Sequence, residues 1–251
     1  MLGAGFITLS ARRQRTLSGS GAVAGFIVGV LASAAGWSWA VLVVALFVSA
    51  NALSRYRRTT RMVRVGAMIE KAGERDAWQV AANGGLFTAA AIGSLIHPSP
   101  VWFPLAAGAI AASAADTWAT EIGTLSAHPP RLITTREVVP AGTSGGVTWA
   151  GTFAGLAGAT FIALLALLTG WGLHSALAAV AGGVAGSLID SLAGAIIQRR
   201  RWCDQCNKPT ERLVHNCGTI TSPHGGFGWV NNDVVNAIGS ITGAVVGLIL
   251  A

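Results

Sequence analysis

Four acidic residues stand within or at the ends of long apolar segments. Asp116 and Glu121 close one segment, Asp190 lies inside another, and Asp233 opens the last. A carboxylate inside a bilayer costs roughly 3 kcal/mol, so such groups normally face a polar cavity or each other. No Lys or Arg lies deep in these segments, so we expect a divalent cation to neutralise all four. Mg²⁺ is the expected ion, because it prefers oxygen ligands and bridges carboxylates to phosphates.

Polar side chains next to these acids share a helix face with them or adjoin them. Asp233 and Asn236 are an i,i+3 pair, which places them on one side of a helix. The hydroxyl and amide groups expected to contact phosphate are Thr117, Ser191, Asn232 and Asn236. Two alternatives remain open at this level. The acids could be interhelical hydrogen-bond anchors, or they could form a proton or cation pathway.

A glycine-rich segment, 140–146, runs directly into an apolar segment. Glycine lets backbone N–H groups approach a ligand closely, and a helix N-terminus favours anions. With Arg131 and Arg136 nearby, this loop is interpreted as a phosphate cradle formed by Gly142, Thr143, Gly145 and Gly146. It is not a Walker motif, and an ordinary turn before a helix is the alternative.

All three cysteines lie in one polar stretch, 199–229. Cys203 and Cys206 form a C-x-x-C pair, and His215 and Cys217 follow. Three thiols and one imidazole match the ligand types and number of a tetrahedral zinc site. Structural Zn²⁺ is therefore one hypothesis. A redox-inert cluster of cytosolic thiols and an oxidation-prone pair of cysteines are the alternatives.

The elements that must position these residues follow from composition. Of 251 residues, 52% are hydrophobic and 11% charged, with a mean hydropathy of +0.58. Soluble domains carry about 25% charged residues, so a water-soluble fold is excluded. We predict an all-α, polytopic membrane bundle of about seven transmembrane helices, one domain over 1–251, with the Cys/His loop 199–229 before the last helix. The predicted spans are 20–36, 37–54, 77–96, 101–121, 147–169, 173–198 and 230–250.

The N-terminal segment, residues 1–11, is apolar but too short to span a bilayer. It lacks a basic region, so a cleaved signal peptide is not expected. The prediction for this segment is a half-helix lying in or on the membrane.

Cationic residues are confined to alternate loops. All 17 Lys and Arg residues fall in 12–19, 55–76, 122–146 and 199–229. The positive-inside rule then places these loops and the N-terminus in the cytoplasm and the C-terminus outside. We expect the membrane to be the cell's inner membrane. The net charge of +7 is interpreted as an orientation signal beside lipid rather than a nucleic-acid surface. Alternatively, arginines of 55–75 attract a phosphorylated ligand.

Ordered motifs from about residue 15 to the end carry a family resemblance. They are Leu17-Ser18-Gly19, Ala77-Trp78-Gln79-Val80-x-Ala82-Asn83-Gly84, Ala115-Asp116-Thr117-Trp118-Ala119-Thr120-Glu121-Ile122-Gly123, Pro130-Arg131-Leu132-Ile133-Thr134, Pro140-x-Gly142-Thr143-x-Gly145-Gly146, Gly186-Ser187-x-x-Asp190-Ser191-x-x-Gly194-Ala195, the Cys/His loop, and Asn232-Asp233-x-Val235-Asn236. The chain resembles the transmembrane-protein-nineteen family, a former domain of unknown function that includes phytyl-phosphate kinases of vitamin E synthesis.

This resemblance implies a kinase that converts a prenyl monophosphate to the diphosphate using a nucleoside triphosphate, with CTP favoured. It casts Asp116, Glu121, Asp190 and Asp233 as Mg²⁺ ligands. A membrane transporter or ion carrier with intramembrane carboxylates is the alternative. The predicted outer loops contain no charged residue, which disfavours an anion path. A non-catalytic scaffold would leave the acidic motifs unexplained.

Overall fold

The chain folds into α-helices joined by loops with a few short strands. The computed structural model describes residues 2–71 and 73–251, and within them the chain forms nine helices. They are α1 (Leu2–Arg13), α2 (Gly19–Ala35), α3 (Trp37–Arg55), α4 (Arg58–Val65), α5 (Ala77–Ile96), α6 (Trp102–Gly123), α7 (Trp149–Leu168), α8 (Gly172–Ile196) and α9 (Asn232–Ile249). The predicted all-α membrane bundle is confirmed.

Seven of these helices correspond to the predicted spans, each boundary within about two residues. Five of them, α3, α5, α7, α8 and α9, are long and apolar enough to cross a membrane. The apolar α2 is shorter, at 17 residues. Helix α6 has 22 residues and lies at the centre of the bundle, where the Ala-rich stretch 106–115 is buried throughout. A central helix does not need a strongly apolar surface, because its neighbours cover it.

Side-chain caps begin the helices at one end of the bundle only. The residues that accept a hydrogen bond from the first turn of α2, α5, α7 and α9 are Ser18, Asp76, Thr148 and Asn231. Helices α3, α6 and α8 begin without a side-chain cap. Their C-terminal ends lie at the same face of the bundle as the N-terminal ends of the capped helices. The seven helices therefore alternate in direction, and their polar ends meet at one face.

Close backbone packing joins α6, α8 and α9. A Cβ atom built on Gly243 of α9 would lie 2.3 Å from the Gly108 carbonyl oxygen of α6. One built on Gly186 of α8 would lie 2.4 Å from the Ala112 Cβ atom and 2.6 Å from the Gly239 carbonyl oxygen. Small residues permit this approach, which packing in lipid requires because no hydrophobic force drives it. The acidic residues of these three helices are thereby brought near one another.

Aromatic side chains fill the opposite half of the bundle. Trp39 lies 4.7 Å from Trp171 and 5.3 Å from Phe87, measured between ring centroids, and Phe103 lies 5.1 Å from Trp171. Trp39 and Phe87 are almost completely buried. This end of the bundle is consequently a solid apolar core.

The remaining elements flank the polar end. Helix α1 packs on α2, with Thr8 and Ala11 buried, which confirms a short N-terminal helix from residue 2 onward. Residue 1 lies outside the described part of the chain. Two short strands, β1 (Arg131–Leu132) and β2 (Gly146–Val147), pair antiparallel. Strands β3 (Arg200–Cys203), β4 (Lys208–Thr210) and β5 (Ser222–Gly225) form a sheet in the order β4-β3-β5 within the Cys/His loop. Periodicity did not predict these strands because they are too short.

Candidate active site

A cavity of about 500 Å³ opens at the end where the cationic loops meet. Its wall comes from helices α3 to α9, together with the link before α2 and the loops that precede α5, α7 and α9. Most residues singled out from the sequence lie on this wall. They are Asp116, Thr117, Glu121, Gly142, Thr143, Gly145, Gly146, Asp190, Ser191, Asn232, Asp233 and Asn236.

Two carboxyl groups of the cavity wall form an acidic pair. The carboxyl groups of Asp116 and Asp190 lie within hydrogen-bonding distance of each other. Asn83 and Asn236 line the same narrow recess. The Asp190 Oδ2 and Asn236 Oδ1 atoms are both buried and have no hydrogen-bond partner among residues 2–71 and 73–251. Buried oxygens without donors are costly, so this recess has the chemistry of a cation site.

Asp233 lies at a different part of the wall. Its Oδ2 atom is 2.5 Å from the Lys71 Nζ atom, while its buried Oδ1 atom has no hydrogen-bond partner in the described part of the chain. Lys71 also contacts Asp76, at 2.8 Å. Burial alone would lower the pKa of Lys71, but hydrogen bonds to Asp233 and Asp76 raise it above its usual value. Lys71 therefore remains charged at the mouth of the cavity.

Glu121 is held by its own partners. It accepts a hydrogen bond from the Ser54 hydroxyl at 2.6 Å and forms an ion pair with Arg61. Arg75 donates to Ser54 at 3.0 Å and to Asn51 at 2.9 Å, so a connected polar network covers this side. The Oε1 atom of Glu121 thus has a hydrogen-bond donor, and its Oε2 atom forms the ion pair with Arg61.

Two corrections to the predicted metal site follow. The expectation that no Lys or Arg could neutralise these acids is wrong, because Arg61 of α4 pairs with Glu121, and Lys71, in the loop after α4, pairs with Asp233. Within residues 2–71 and 73–251, the four acids also do not gather into one metal-binding cluster. They divide into the Asp116–Asp190 pair and two ion-paired carboxylates.

The two arginines assigned to phosphate lie elsewhere. Arg131 and Arg136 are exposed and absent from the cavity wall, and Arg131 donates to the Arg136 carbonyl oxygen at 2.8 Å. That contact stabilises the turn after β1. The cations that do line the cavity are Arg15, Arg55, Arg58, Arg61, Lys71 and Arg75. All but Arg15 belong to the basic stretch 55–75, which the sequence offered as the alternative phosphate attractor.

The glycine-rich loop forms part of the wall opposite these cations. Gly145 has φ +77°, and a Cβ atom there would lie 2.6 Å from the Ala195 backbone nitrogen of α8. Ser144 donates its hydroxyl to the buried Glu211 carboxylate. The first turns of α5, α7 and α9 also border the cavity, at Gln79, Thr148 and Asn232. The positive ends of three helix dipoles therefore favour an anion.

One side of the cavity is apolar. Phe153 and Leu156 of α7 and Val184 and Leu188 of α8 line it. Phe153 is 65% exposed, and Leu156 and Leu188 are about half exposed. These side chains reach the outer surface of the bundle, so the polar cavity borders the surface that faces lipid.

The Cys/His group lies outside this cavity. The ligand atoms of Cys203, Cys206, His215 and Cys217 all fall within 4.8 Å of one another. The predicted cluster is therefore present as a structural feature.

Comparisons with known proteins give consistent matches along the chain. A family model described as integral membrane protein DUF92 matches residues 2–244. Membrane protein MJ0933 of Methanocaldococcus jannaschii is 31% identical over 97% of this chain and 90% of its own length. Protein PGR of Arabidopsis thaliana is 30% identical over 92% of this chain and 88% of its own length. Protein VTE6, chloroplastic, from the same plant is 27% identical over 93% of this chain and 65% of its own length. No solved structure matches.

The matched residues, 2–244, include all the sequence motifs that carry the family resemblance, from Leu17 to Asn236. The acidic motifs of α6, α8 and α9, the glycine-rich loop and the Cys/His loop all lie within the matched residues. Helix content, apolar helices and sequence similarity point to the same conclusion. The chain belongs to the integral membrane protein family DUF92.

Proposed function

We propose that this protein is a membrane-embedded prenyl-phosphate kinase. It transfers the terminal phosphoryl group of a nucleoside triphosphate, with CTP favoured, to an isoprenyl monophosphate such as phytyl phosphate. The observation that carries the proposal is the Asp116–Asp190 recess with its unpartnered oxygens. The cavity that contains it is also lined by several Lys and Arg side chains and, on one side, by apolar side chains. The motif resemblance to the family that includes phytyl-phosphate kinases supports the same reaction.

Mg²⁺ fits the recess better than it fits the other acids. Asp116, Asp190 and Asn236 offer oxygen ligands only, and two of these oxygens lack donors. Asp233 offers one further free oxygen toward the same cavity. When bound there, Mg²⁺ would neutralise charge that develops on the transferred phosphoryl group. Glu121 instead orients Arg61, because its oxygens are already engaged.

The remaining residues bind and align two anionic substrates. Arg61, Lys71 and Arg75 attract the phosphates, and the glycine-rich loop with the first turn of α7 presents backbone N–H groups. The prenyl chain lies along Phe153, Leu156 and Leu188, at the surface that faces lipid. An oxygen of the prenyl phosphate forms the new bond to the γ-phosphorus, while the bond from that phosphorus to the bridging oxygen breaks. The nucleoside diphosphate leaves, and the anionic acceptor needs no general base.

A transporter or ion carrier remains the alternative. Alternating access requires the substrate to reach both faces of the bundle. Buried Trp39, Phe87 and Trp171 fill the half of the bundle away from the cavity. That packing favours a site that is open to one side of the membrane only. The cationic mouth then faces the cytoplasm by the positive-inside rule, with the C-terminus outside.

A panel of substrates tests the proposal. Protein purified in detergent is incubated with Mg²⁺, prenyl monophosphates of different chain lengths and each of the four common nucleoside triphosphates, and prenyl diphosphate is quantified. We expect one chain-length class and one nucleotide to give product, and EDTA to abolish it. Flux of labelled substrate into proteoliposomes without product formation would support the transporter instead.

A further inference from the structure

The loop 199–229 is too small to be stable through its own core. Its sheet has three strands of three or four residues, and the fully buried side chains in it are few. A unit of about 30 residues usually needs a disulfide or a metal to fold. The described cysteines are all free thiols, so no disulfide supplies this constraint.

The four soft ligands sit at two facing turns of this sheet. Cys203 ends β3 and Cys206 lies in the turn to β4, while His215 and Cys217 lie in the turn before β5. The Cys203 and Cys217 Sγ atoms are 3.6 Å apart, and the His215 Nδ1 atom is 3.2 Å from the Cys217 Sγ atom. Tetrahedral Zn²⁺ with Zn–S bonds of about 2.3 Å separates its sulfur ligands by roughly 3.8 Å. The spacing of the Cys203 and Cys217 sulfur atoms therefore suits two ligands of one ion, and all four ligand atoms lie within 4.8 Å of one another.

We propose that Cys203, Cys206, His215 and Cys217 bind one structural Zn²⁺, and that this ion fixes the Cys/His loop as a clamp on two walls of the cavity. Three thiolates and one imidazole leave no open coordination position, so the metal has no catalytic role. Zinc binding at this site does not depend on which reaction the cavity performs.

The first contact of the clamp is with the segment just before Lys71. The Thr210 hydroxyl donates to the Ala67 carbonyl oxygen at 2.7 Å, and the Glu211 backbone nitrogen donates to the Met68 carbonyl oxygen at 2.8 Å. Arg212 donates to the Gly66 carbonyl oxygen at 3.2 Å. Residues 66–68 thus gain partners from the stretch between the two halves of the metal site.

Two side-chain contacts extend this hold. Arg199 binds both carboxylate oxygens of Glu70, at 2.7 and 2.8 Å. The Glu211 carboxylate accepts from Ser144 of the glycine-rich loop. The Cys/His loop therefore contacts both residues 66–70, which precede Lys71, and the glycine-rich loop. Loss of the metal would weaken both sets of contacts and leave the Asp116–Asp190 recess unchanged.

Metal content of the wild-type protein is the direct test. The protein is purified without chelators and analysed by plasma mass spectrometry, while thiol reactivity is followed in the native and denatured states. We expect about one zinc per chain and three thiols that react only on denaturation, as zinc is released. His215→Ala should lose the zinc, whereas the control His224→Ala, an exposed residue whose ring centroid lies 5.1 Å from that of Trp202, should keep it. Less than a tenth of a zinc per chain with freely reactive thiols, or iron in its place, would overturn the site.

The clamp has a separate readout that does not use activity. Hydrogen exchange is compared before and after zinc removal by a chelator. We expect faster exchange in residues 66–71, 142–146 and 208–212, with α7 and α9 unchanged. Unchanged exchange in 66–71 after complete zinc loss would overturn the clamp. Increased exchange throughout the bundle would also overturn it, because the metal would then support the whole fold.

Discussion

Replacing Asp190 with Asn separates a catalytic role from a structural one. Asp190 and Asp116 lie within hydrogen-bonding distance, with the Asp190 Oδ2 atom unpartnered. If both carboxylates were ionised about 4 Å apart, they would repel by about 4 kcal/mol at an effective dielectric constant of 20. Asn keeps the size of the side chain and cannot carry that second charge. Metal-free Asp190→Asn should therefore be at least as stable as the metal-free wild type.

Its effect on turnover should have the opposite sign. If the metal site loses about 4 kcal/mol of transition-state stabilisation, the rate falls by about 10³-fold, since each 1.36 kcal/mol is a factor of ten. Mg²⁺ at 100 times its dissociation constant should stabilise the wild type by about 2.7 kcal/mol, and this gain should shrink strongly in the variant. The control is Glu137→Gln, which likewise removes one carboxylate charge, here from an exposed residue away from the cavity.

The assay combines thermal unfolding with activity per folded molecule. Both variants are titrated with Mg²⁺ in detergent, and folded protein is quantified before each rate measurement. The reasoning would be refuted if the metal-free Asp190→Asn variant were less stable than the metal-free wild type, if Mg²⁺ still stabilised it, and if its turnover stayed within a few-fold of the wild-type value. Asp190 would then be an interhelical anchor.

Four further expectations follow from the cavity wall and the membrane topology. Arg61→Ala should raise KM for the anionic substrates about tenfold or more, whereas Arg64→Ala on the same helix should not, since Arg64 only donates to a loop carbonyl; equal KM values for the two variants would contradict this. Burial raises the pKa of the Glu211 carboxyl to about 7, from 4.5, so the folded protein holds a proton that the unfolded chain releases. Stability should thus fall as pH rises from about 4.5 to 7, by an amount on the order of 3 kcal/mol, and remain level above that. Chemical denaturation across this pH range should show a smaller decline for Glu211→Gln, and an identical decline would refute the assignment. Gly145→Ala should destabilise the glycine-rich loop by about 2 kcal/mol or more, because φ is positive there and the new Cβ atom would meet backbone; unchanged unfolding and KM would contradict it. A cysteine introduced at position 133 should react with an impermeant reagent only after the cytoplasmic side is exposed, and labelling in intact cells would reverse the proposed orientation.

The helices could be predicted because each apolar segment ends at a feature visible in the sequence. Ser18, Asp76 and Thr148 cap the helices that follow them, and Gly36 separates α2 from α3. Asp116 and Asp190 were found for the same reason, since a charge inside an apolar run is conspicuous. Their proximity depends on glycine contacts between α6, α8 and α9, which no periodicity reveals.

The cationic partners were not predictable because their contacts span long stretches of chain. Lys71 meets Asp233, 162 positions away in sequence, and Arg61 meets Glu121 only because α4 folds back over the cavity. Arg131 and Arg136 were chosen for their closeness to the glycine-rich loop. In the turn after β1, Arg131 donates to the Arg136 carbonyl oxygen, and neither arginine lines the cavity although both are near the glycine-rich loop in sequence.

The central claim is phosphoryl transfer at the Asp116–Asp190 recess, and label transfer measures it most directly. Nucleoside triphosphate labelled at the γ-phosphate is incubated with phytyl monophosphate, Mg²⁺ and purified protein, beside the Asp116→Asn and Asp190→Asn variants. We expect label in the terminal phosphate of the prenyl diphosphate, one nucleoside diphosphate per product, and loss of about 10³-fold in each variant. Folded, Mg²⁺-binding wild-type protein that transfers no label to any prenyl monophosphate tested, or variants that transfer it at the wild-type rate, would contradict the claim.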